Sequence, residues 1–425
     1  MEEVKTSGLV SEKLYKKTLP DGLKCYIIPR KGFVEKQALI AVHFGSVHDR
    51  FADDSGHLIT LPDGCAHFLE HEMFEKPQGN ALQTFSALGA EVNAFTSHMV
   101  TGYYTSCVDR FNACLDALFD LVYTPCFTGE NVAGEAAVIK QEISMYDDDP
   151  GSRALLNLLD CLYTISPIRK NIAGSHESVS RIDKDMLYAC HSAFYTPDNM
   201  ALICVGDFSK SEIYEIARSH EKKSKSAKKE FLKEPDFIRK PCSHVKMEVS
   251  PPFFAMGFKD IDEPVCYKKV VEVKLLLDIL FGESSEFFTS LYADGLLDDF
   301  FGTDVLDGQR DSLSVLLGRS KNPGKVVEKA LEAIGEAKMH GISQDRIKII
   351  KNKHLGRMVR GFNALDQIAL ASAGYFANGV DIFEVFDFYE RVRPDDLEDR
   401  LSSHFAEERF AVSVVSDDAA AIEKE

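Results

Sequence analysis

Apolar and polar positions follow the same order twice along the chain. Residues 101–122 read as a strand followed by an amphipathic helix, and residues 311–334 repeat that order. Residues 194–207 and 404–417 each place an aromatic residue and a polar turn before an apolar strand that ends at Asp. This repetition predicts a tandem duplication of a unit of roughly 200 residues.

Helical patterns follow the strand patterns in each half of the chain. Residues 128–146 and 343–360 both carry apolar side chains at the spacing of an amphipathic helix. Strands early and helices late in each unit predict an α+β fold class. We expect two tandem homologous units, each a mixed or antiparallel β-sheet covered by helices on one face.

The clearest break between the halves is the lysine-rich segment 219–241. It contains seven lysines and few apolar residues, which is typical of a solvated linker, although a basic run can also bind a polyanion. The predicted domains are a first unit at 1–218, a charged linker at 219–243 and a second unit at 244–425.

Composition limits the class of protein. Hydrophobic residues make up 45% and charged residues 27% of the chain, as in soluble globular proteins. No apolar run approaches the roughly 20 residues that span a bilayer, and the N-terminus lacks the apolar segment of a secretory signal. We therefore expect a cytoplasmic protein with no membrane partner, whose ten cysteines are reduced.

The net charge limits the class of partner. A formal charge of −18 argues against nucleic acid, because phosphates require a basic surface. The charge allows a preference for basic peptides if enough carboxylates line a cavity. General solubility is the alternative explanation for most of these carboxylates.

The segment 67–71 carries the first candidate chemistry. Residues three and four apart on a helix share a face, so His67, Glu70 and His71 are expected to lie together. Two histidines at this spacing can bind one zinc ion through imidazole nitrogen, and the adjoining carboxylate can take a proton from a water that the metal activates. This is the inverted order H-x-x-E-H, and a chance match is the alternative.

A third metal ligand is expected from the helix predicted at 128–149. Catalytic zinc sites usually combine three protein ligands with an open position for water. Glu135 and Glu142 are seven residues apart and therefore lie along one helix face. One carboxylate can complete the metal site and the other can support it. Two solvated glutamates are the alternative reading.

These segments resemble the pitrilysin/insulinase family of zinc peptidases, also called inverzincins. HFLEH at 67–71 matches the family signature, the segment 135–150 matches its downstream E-x6-E helix, and residues 89–104 resemble its substrate-holding edge strand. The resemblance covers essentially the whole chain and implies a fold like that of the mitochondrial processing peptidase. The residues around the motif are most similar to those of bacterial members associated with elongation factor P modification.

The resemblance implies a role for each matching residue. His67, His71 and Glu142 would bind Zn²⁺ as the cofactor. Glu70 would be the catalytic base, and Glu135 would be the supporting carboxylate. The expected reaction is the hydrolysis of peptide bonds within short or unfolded peptides, as in a zinc metalloendopeptidase.

The predicted edge strand is the candidate substrate-binding element. An unpaired strand offers N–H and C=O groups to which an extended peptide can add. Asn93, Ala94 and Phe95 would supply these backbone contacts. The alternative is an internal strand of the first sheet.

The second half departs from the family pattern. It has no H-x-x-E-H segment, and Asn352 and Lys353 stand near the positions of Gln141 and Glu142, so we expect no metal there. This unit is expected to form a wall of the substrate chamber.

Two further positions differ from the family pattern in the same half. Tyr292 stands where the family resemblance predicts a substrate-binding arginine, and Asp298 stands near the expected tyrosine. Tyr292 could still donate a hydrogen bond to the substrate oxyanion or serve only in packing.

Three functions remain open at this point. The leading one is an active zinc endopeptidase on peptides, and related proteins of this kind work as homodimers or as heterodimers with a paralogous, peptidase-like subunit. A second is a zinc-binding subunit that is inactive without such a partner. A third is a protein that binds extended peptides without cleaving them.

Overall fold

The computed structural model describes residues 2–53, 55–77, 79–260 and 265–417. The strands within these ranges, in chain order, are β1 (Glu3–Thr6), β2 (Lys13–Thr18), β3 (Lys24–Pro29), β4 (Lys36–Val42), β5 (Arg50–Ala52), β6 (Leu58–Thr60), β7 (Glu75–Lys76), β8 (Gly79–Asn80), β9 (Ala90–Thr96), β10 (Thr101–Cys107), β11 (Met200–Gly206), β12 (Lys228–Lys229), β13 (Cys242–Lys246), β14 (Phe253–Lys259), β15 (Gly302–Asp307), β16 (Ser312–Arg319) and β17 (Phe410–Ser416).

The α-helices within the same ranges are α1 (Cys65–Glu72), α2 (Ala81–Leu88), α3 (Phe111–Tyr123), α4 (Gly129–Asp148), α5 (Pro150–Leu162), α6 (His176–Val179), α7 (Lys184–Phe194), α8 (Lys210–Ser219), α9 (Tyr267–Phe281), α10 (Glu286–Ala293), α11 (Pro323–His340), α12 (Gln344–Gly361), α13 (Leu365–Ala377), α14 (Ile382–Arg391) and α15 (Pro394–His404). No helix in the described part of the chain is long and apolar enough to cross a bilayer.

The chain forms two compact units, each with its own mixed sheet. The first contains a seven-stranded sheet in the order β1-β2-β3-β11-β4-β10-β9, in which β11 runs parallel to β3 and antiparallel to β4. The second contains a five-stranded sheet in the order β13-β17-β14-β16-β15, with β17 parallel to β13. The predicted α+β fold with two sheet-and-helix units is confirmed.

Each unit includes a segment from the other half of the sequence. The first comprises residues 1–143, 171–231 and 357–387, and the second comprises the remaining segments 144–170, 232–356 and 388–425. Helix α5 therefore packs on β14 and β17, and α13 packs on β4 and β11. The compact units thus differ from the contiguous domains predicted at 1–218 and 244–425, because burial of apolar helix faces groups these segments regardless of chain order.

Helices pack on both faces of the first sheet. Cys25 and Ile27 of β3 belong to the core that includes α1 and α3. Tyr26 points to the other face, where its ring meets Phe376 of α13 edge to face at 6.5 Å. The prediction that helices cover only one face of the sheet is therefore wrong for this unit, because both faces of β3 are apolar and must be buried.

The predicted linker is anchored rather than fully solvated. In the first unit, β12 pairs with β5, and Lys229 Nζ donates a hydrogen bond to the His43 carbonyl oxygen. In the second unit, the buried Glu234 carboxylate accepts hydrogen bonds from the backbone N–H groups of residues 164–166 and from Lys259 Nζ. Buried charges are stable only with such partners, and these partners are distant in the sequence.

The ten cysteines are all free in the structure. Seven of them are buried, and burial raises the pKa of thiols such as Cys25 to about 12. The seven buried cysteines are core side chains, and the free thiols agree with the prediction of reduced cysteines.

Candidate metal centre

The H-x-x-E-H segment forms α1 at the end of a tight turn. Gly64 precedes the helix with a φ of 88°, and a Cβ atom there would lie 2.4 Å from the carbonyl oxygen of Ala173. Only glycine combines this backbone conformation with such a close approach. Phe68, Leu69 and Met73 are fully buried and attach the helix to the core, which leaves the other face for the polar side chains.

Helix α4 supplies the two carboxylates that face α1. Ile139 and Ile143 are buried in the core, so the helix has a fixed rotation about its axis. His67 Nε2 lies 3.6 Å from Glu142 Oε1, and His71 Nε2 lies 3.8 Å from Glu142 Oε2. The two helices, separated by more than fifty residues of sequence, therefore bring three side chains that could bind a metal ion to one place.

The three donor groups match the requirements of a zinc ion. One donor atom from each of His67, His71 and Glu142 can be chosen so that all lie within 4.8 Å of one another. Ligand atoms around a tetrahedral zinc lie about 3.3 Å apart, so small side-chain movements would close the site. Two imidazoles and one carboxylate are the donor set of many catalytic zinc centres.

The two histidines differ in how readily they hold a proton. Burial and the nearby His71 lower the pKa of His67 to about 4, so this imidazole stays neutral. Burial alone would lower the pKa of His71, but the hydrogen bond to Glu135 and the carboxylates of Glu70 and Glu142 raise it. The raised pKa favours the protonated form of His71, so proton and metal compete at this residue.

Glu135 holds the second imidazole in place. His71 Nδ1 donates a hydrogen bond of 2.7 Å to Glu135 Oε1, which leaves Nε2 directed toward Glu142. A carboxylate on the far nitrogen fixes the tautomer and orientation of a metal-binding histidine. His67 Nδ1 is buried and has no such partner within the described ranges.

Glu70 lies on the same turn of α1 and is almost fully buried. Burial raises its pKa, and His71 and a hydrogen bond from Thr96 oppose this effect. Thr96 Oγ1 donates to Glu70 Oε2 over 2.9 Å. The sequence did not predict Thr96 as a site residue, because it lies on a different element, β9, and no regular spacing connects it to the H-x-x-E-H segment.

Asn93, Ala94 and Phe95 lie in the middle of β9. This strand pairs with β10 on one side and is the edge of the seven-stranded sheet among the described residues. The prediction of an edge strand is confirmed, and the contribution of these residues to peptide binding stays a prediction. The Phe95 ring covers Gly102 on β10, where a Cβ atom would lie 2.4 Å from the ring.

The second unit places the divergent residues differently. Tyr292 lies on α10, is 49% exposed and stacks on Phe288 with ring centroids 5.5 Å apart. The carboxylate of Asp298 forms an ion pair with Arg319. Both arrangements are structural contacts within that unit, and the predicted role of Tyr292 in substrate binding stays a prediction.

An ion pair joins α9 and α12 in the second unit. Lys353, which aligns near the position of Glu142 in the first half, donates from Nζ to Asp278 Oδ1 over 2.7 Å. His354 Nε2 lies 3.0 Å from the other oxygen of Asp278. A cationic side chain thus stands near the position that, in the first unit, offers a metal ligand.

Two family descriptions match the chain: insulinase (peptidase family M16) over residues 40–176 and the peptidase M16 inactive domain over residues 181–353. The uncharacterized zinc protease YmfH of Bacillus subtilis is 32% identical over 419 residues, which span 96% of this chain and 97% of that protein. The uncharacterized zinc protease YmxG of the same organism is 26% identical over 70% of this chain and 74% of that protein.

Solved structures show the same fold. A protein described as an M16-like peptidase from Alicyclobacillus acidocaldarius superposes with a TM-score of 0.91 at 28% identity, over 96% of this chain and 98% of that chain. A peptidase M16 inactive domain from Pseudomonas fluorescens gives a TM-score of 0.79 at 16% identity, over 96% of this chain and all of that chain. The chain belongs to the insulinase family, peptidase family M16.

Proposed function

We propose that this protein is a zinc metalloendopeptidase that hydrolyses bonds within short or unfolded peptides. The observation that carries the proposal is the convergence of His67, His71 and Glu142 beside the carboxylate of Glu70. The cofactor is Zn²⁺, as in the relatives named zinc proteases. When bound, zinc polarises a peptide carbonyl and makes water more acidic.

The chain itself supplies the proton transfer. Glu70 projects from the turn between the two histidines and is fixed by the Thr96 hydroxyl. Its burial raises its pKa, and a base with a raised pKa holds a proton more firmly after taking it from water. Glu70 can then deliver that proton to the leaving amine, which completes hydrolysis without a further residue.

The strand β9 supports the placement of the substrate. Its outer edge has no partner strand among the described residues, and Thr96 at its end contacts Glu70. A peptide that adds to this edge would run past the proposed catalytic base with its backbone held by Asn93, Ala94 and Phe95. Binding through backbone groups suits many peptide sequences.

The test compares metal content and cleavage in matched variants. The wild-type protein is expected to contain zinc near one equivalent and to cleave a quenched peptide library, with cleavage lost on chelation. Glu70→Gln should retain zinc while losing activity about 10²–10⁴-fold, and Glu142→Gln should lose zinc. Glu130→Gln, an exposed change on α4, is the control. Equal cleavage by the wild type and Glu70→Gln would refute the assignment.

A second candidate is a zinc-binding subunit that needs a paralogous partner. Two contacts in the second unit favour this candidate. Asp298 forms an ion pair with Arg319, and Tyr292 stacks on Phe288, so both side chains already have structural contacts. This candidate predicts zinc binding without cleavage by the isolated chain and cleavage after mixing with the paralogue. Robust cleavage by the isolated chain would exclude it. We also propose that the protein is cytoplasmic and that it forms a homodimer or a heterodimer with a paralogous subunit.

A further inference from the structure

A cavity of about 490 Å³ lies at the outer edge of the first sheet. Strands β4, β9 and β10 form its wall, and the first turn of α13 closes one side. Gln37, Ser106 and Glu91 are direct cross-strand partners in three neighbouring strands, so they share one face. That face is opposite to the core beneath α1, because Ala38 of β4 points into that core.

The charged groups that line the cavity are all acidic. They are the exposed carboxylates of Glu35, Glu91 and Asp366, and no Lys, Arg or His side chain lines the cavity. Among the described residues, none of the three carboxylates has a salt bridge. Like charges brought together in this way repel each other and attract a cation.

Gln37 adds an independent observation. Its side chain lines the cavity and is 1% exposed, and neither its amide nitrogen nor its amide oxygen has a hydrogen-bond partner within the described ranges. Buried amide groups in native proteins are nearly always paired. The amide oxygen is therefore available to accept a hydrogen bond from a cationic donor that occupies the cavity.

The shape of the cluster favours an organic cation over a metal ion. A metal ion needs donor atoms that converge on one point, and within the described ranges only His67, His71 and Glu142 converge in this way. The carboxylates and the amide of the cavity are spread along the strands. A guanidinium group with five donors, or an ammonium group on a long stem, can reach several such acceptors.

We propose that this cavity is a subsite for an arginine or lysine side chain of a peptide bound along β9. The proposal rests on the function proposed above. Successive side chains of an added strand point to opposite faces, so every second residue of such a peptide would project over Glu91 and Asn93 toward the cavity. The subsite gives the protein a preference for basic substrates.

Binding can be measured separately from cleavage. Zinc-loaded Glu70→Gln protein is titrated with fluorescent peptides that carry arginine, or the neutral isostere citrulline, at each position in turn. At one or more positions the arginine peptide should bind about fivefold more tightly than the citrulline peptide at low salt. This ratio of the two affinities should shrink at high salt. The double change Glu91→Gln and Asp366→Asn should reduce the ratio toward one.

Two further variants separate the subsite from general charge effects. Gln37→Leu keeps the volume and removes the unpartnered amide, so it should lower the arginine preference without lowering the urea midpoint of unfolding. Glu215→Gln removes one exposed charge on α8, outside the cavity, and should leave the preference unchanged. An equal loss of preference in Glu215→Gln would overturn the inference.

The remaining outcomes distinguish this inference from the proposed function. Equal binding of arginine and citrulline peptides, together with zinc-dependent cleavage by the wild type, overturns the subsite and leaves the peptidase standing. Arginine-specific binding without cleavage by the zinc-loaded wild type supports the subsite and refutes independent peptidase activity. Failure of every peptide to bind or be cleaved overturns both.

Discussion

At the scale of single residues, the proposed catalytic base depends on a residue from another element. Glu70 is buried on α1, and its carboxylate accepts a hydrogen bond from the Thr96 hydroxyl on β9. This bond favours the charged form of the carboxylate and opposes the rise in pKa that burial causes. We therefore expect Thr96 to position Glu70 and to lower the pKa of its carboxyl group.

Replacement of Thr96 by valine tests this role. Thr96→Val keeps the shape and removes the donor, so the pKa of Glu70 should rise further. Because the base must be ionised to act, the acid limb of the pH profile of kcat/KM should move to higher pH, with kcat lower by about tenfold at neutral pH. Zinc content should not change, and Thr96→Ser should restore activity. An unshifted pH profile would contradict the assignment.

At the scale of elements, the two units join corresponding helices by different means. In the first, α1 and α4 face each other through His67, His71 and Glu142. In the second, α9 and α12 are joined by the Asp278 carboxylate, which accepts from Lys353 and His354. An ion pair with a hydrogen-bonded histidine can hold two helices without a metal, provided that each charge is satisfied.

The contribution of this pair to stability should depend on pH. Burial alone would raise the pKa of Asp278, but the hydrogen bonds from His354 and Lys353 hold it at about 2. A lowered carboxylate pKa stabilises the folded protein above the ordinary value of 3.8, and this stability is lost as the pH falls toward 2.

Replacement of Asp278 by asparagine should lower the free energy of unfolding by about 2 kcal/mol at pH 7, and by little at pH 2. Urea unfolding at both pH values measures the difference. Lys353→Met and the double variant complete a thermodynamic cycle. A zero coupling energy would show that the two groups do not interact.

At the scale of the whole molecule, each half of the sequence supplies a helix that packs on a sheet formed mainly by the other half. Helix α13 comes from the second half of the chain and packs on β4 and β11 of the first sheet. It buries apolar side chains such as Ile368, Ala373 and Phe376. Without it, one face of the sheet would expose a large apolar surface to water.

Separated halves should therefore fold poorly. A fragment of residues 1–231 contains the whole proposed metal site but lacks residues 357–387 of its compact unit. We expect this fragment to bind a hydrophobic dye, to unfold without a cooperative transition and to retain zinc weakly. Coexpression with residues 232–425 should restore a zinc-containing complex. A cooperatively folded fragment with one tightly bound zinc would contradict this expectation.

Local patterns predicted much of the fold and of the candidate site. The helix of His67 and His71 and the helix of Glu142 follow from periodicity and turn residues, because side chains three, four and seven apart on a helix share a face. The repeated order of strands and helices predicted two α+β units, and the structure confirms them. The edge position of β9 followed from resemblance to a family, since an edge strand and an internal strand have similar local patterns.

Only the tertiary structure decided which distant residues meet. Three features join segments that no repeating sequence pattern connects. They are the exchange of α5 and α13 between the units, the contact of Thr96 with Glu70 and the acidic cavity around Gln37. By itself, the sequence determined the chemistry of the proposed metal centre, because its donor residues lie on two regular helices. Burial and strand register determined its surroundings, because these depend on surfaces that exist only after the chain has folded.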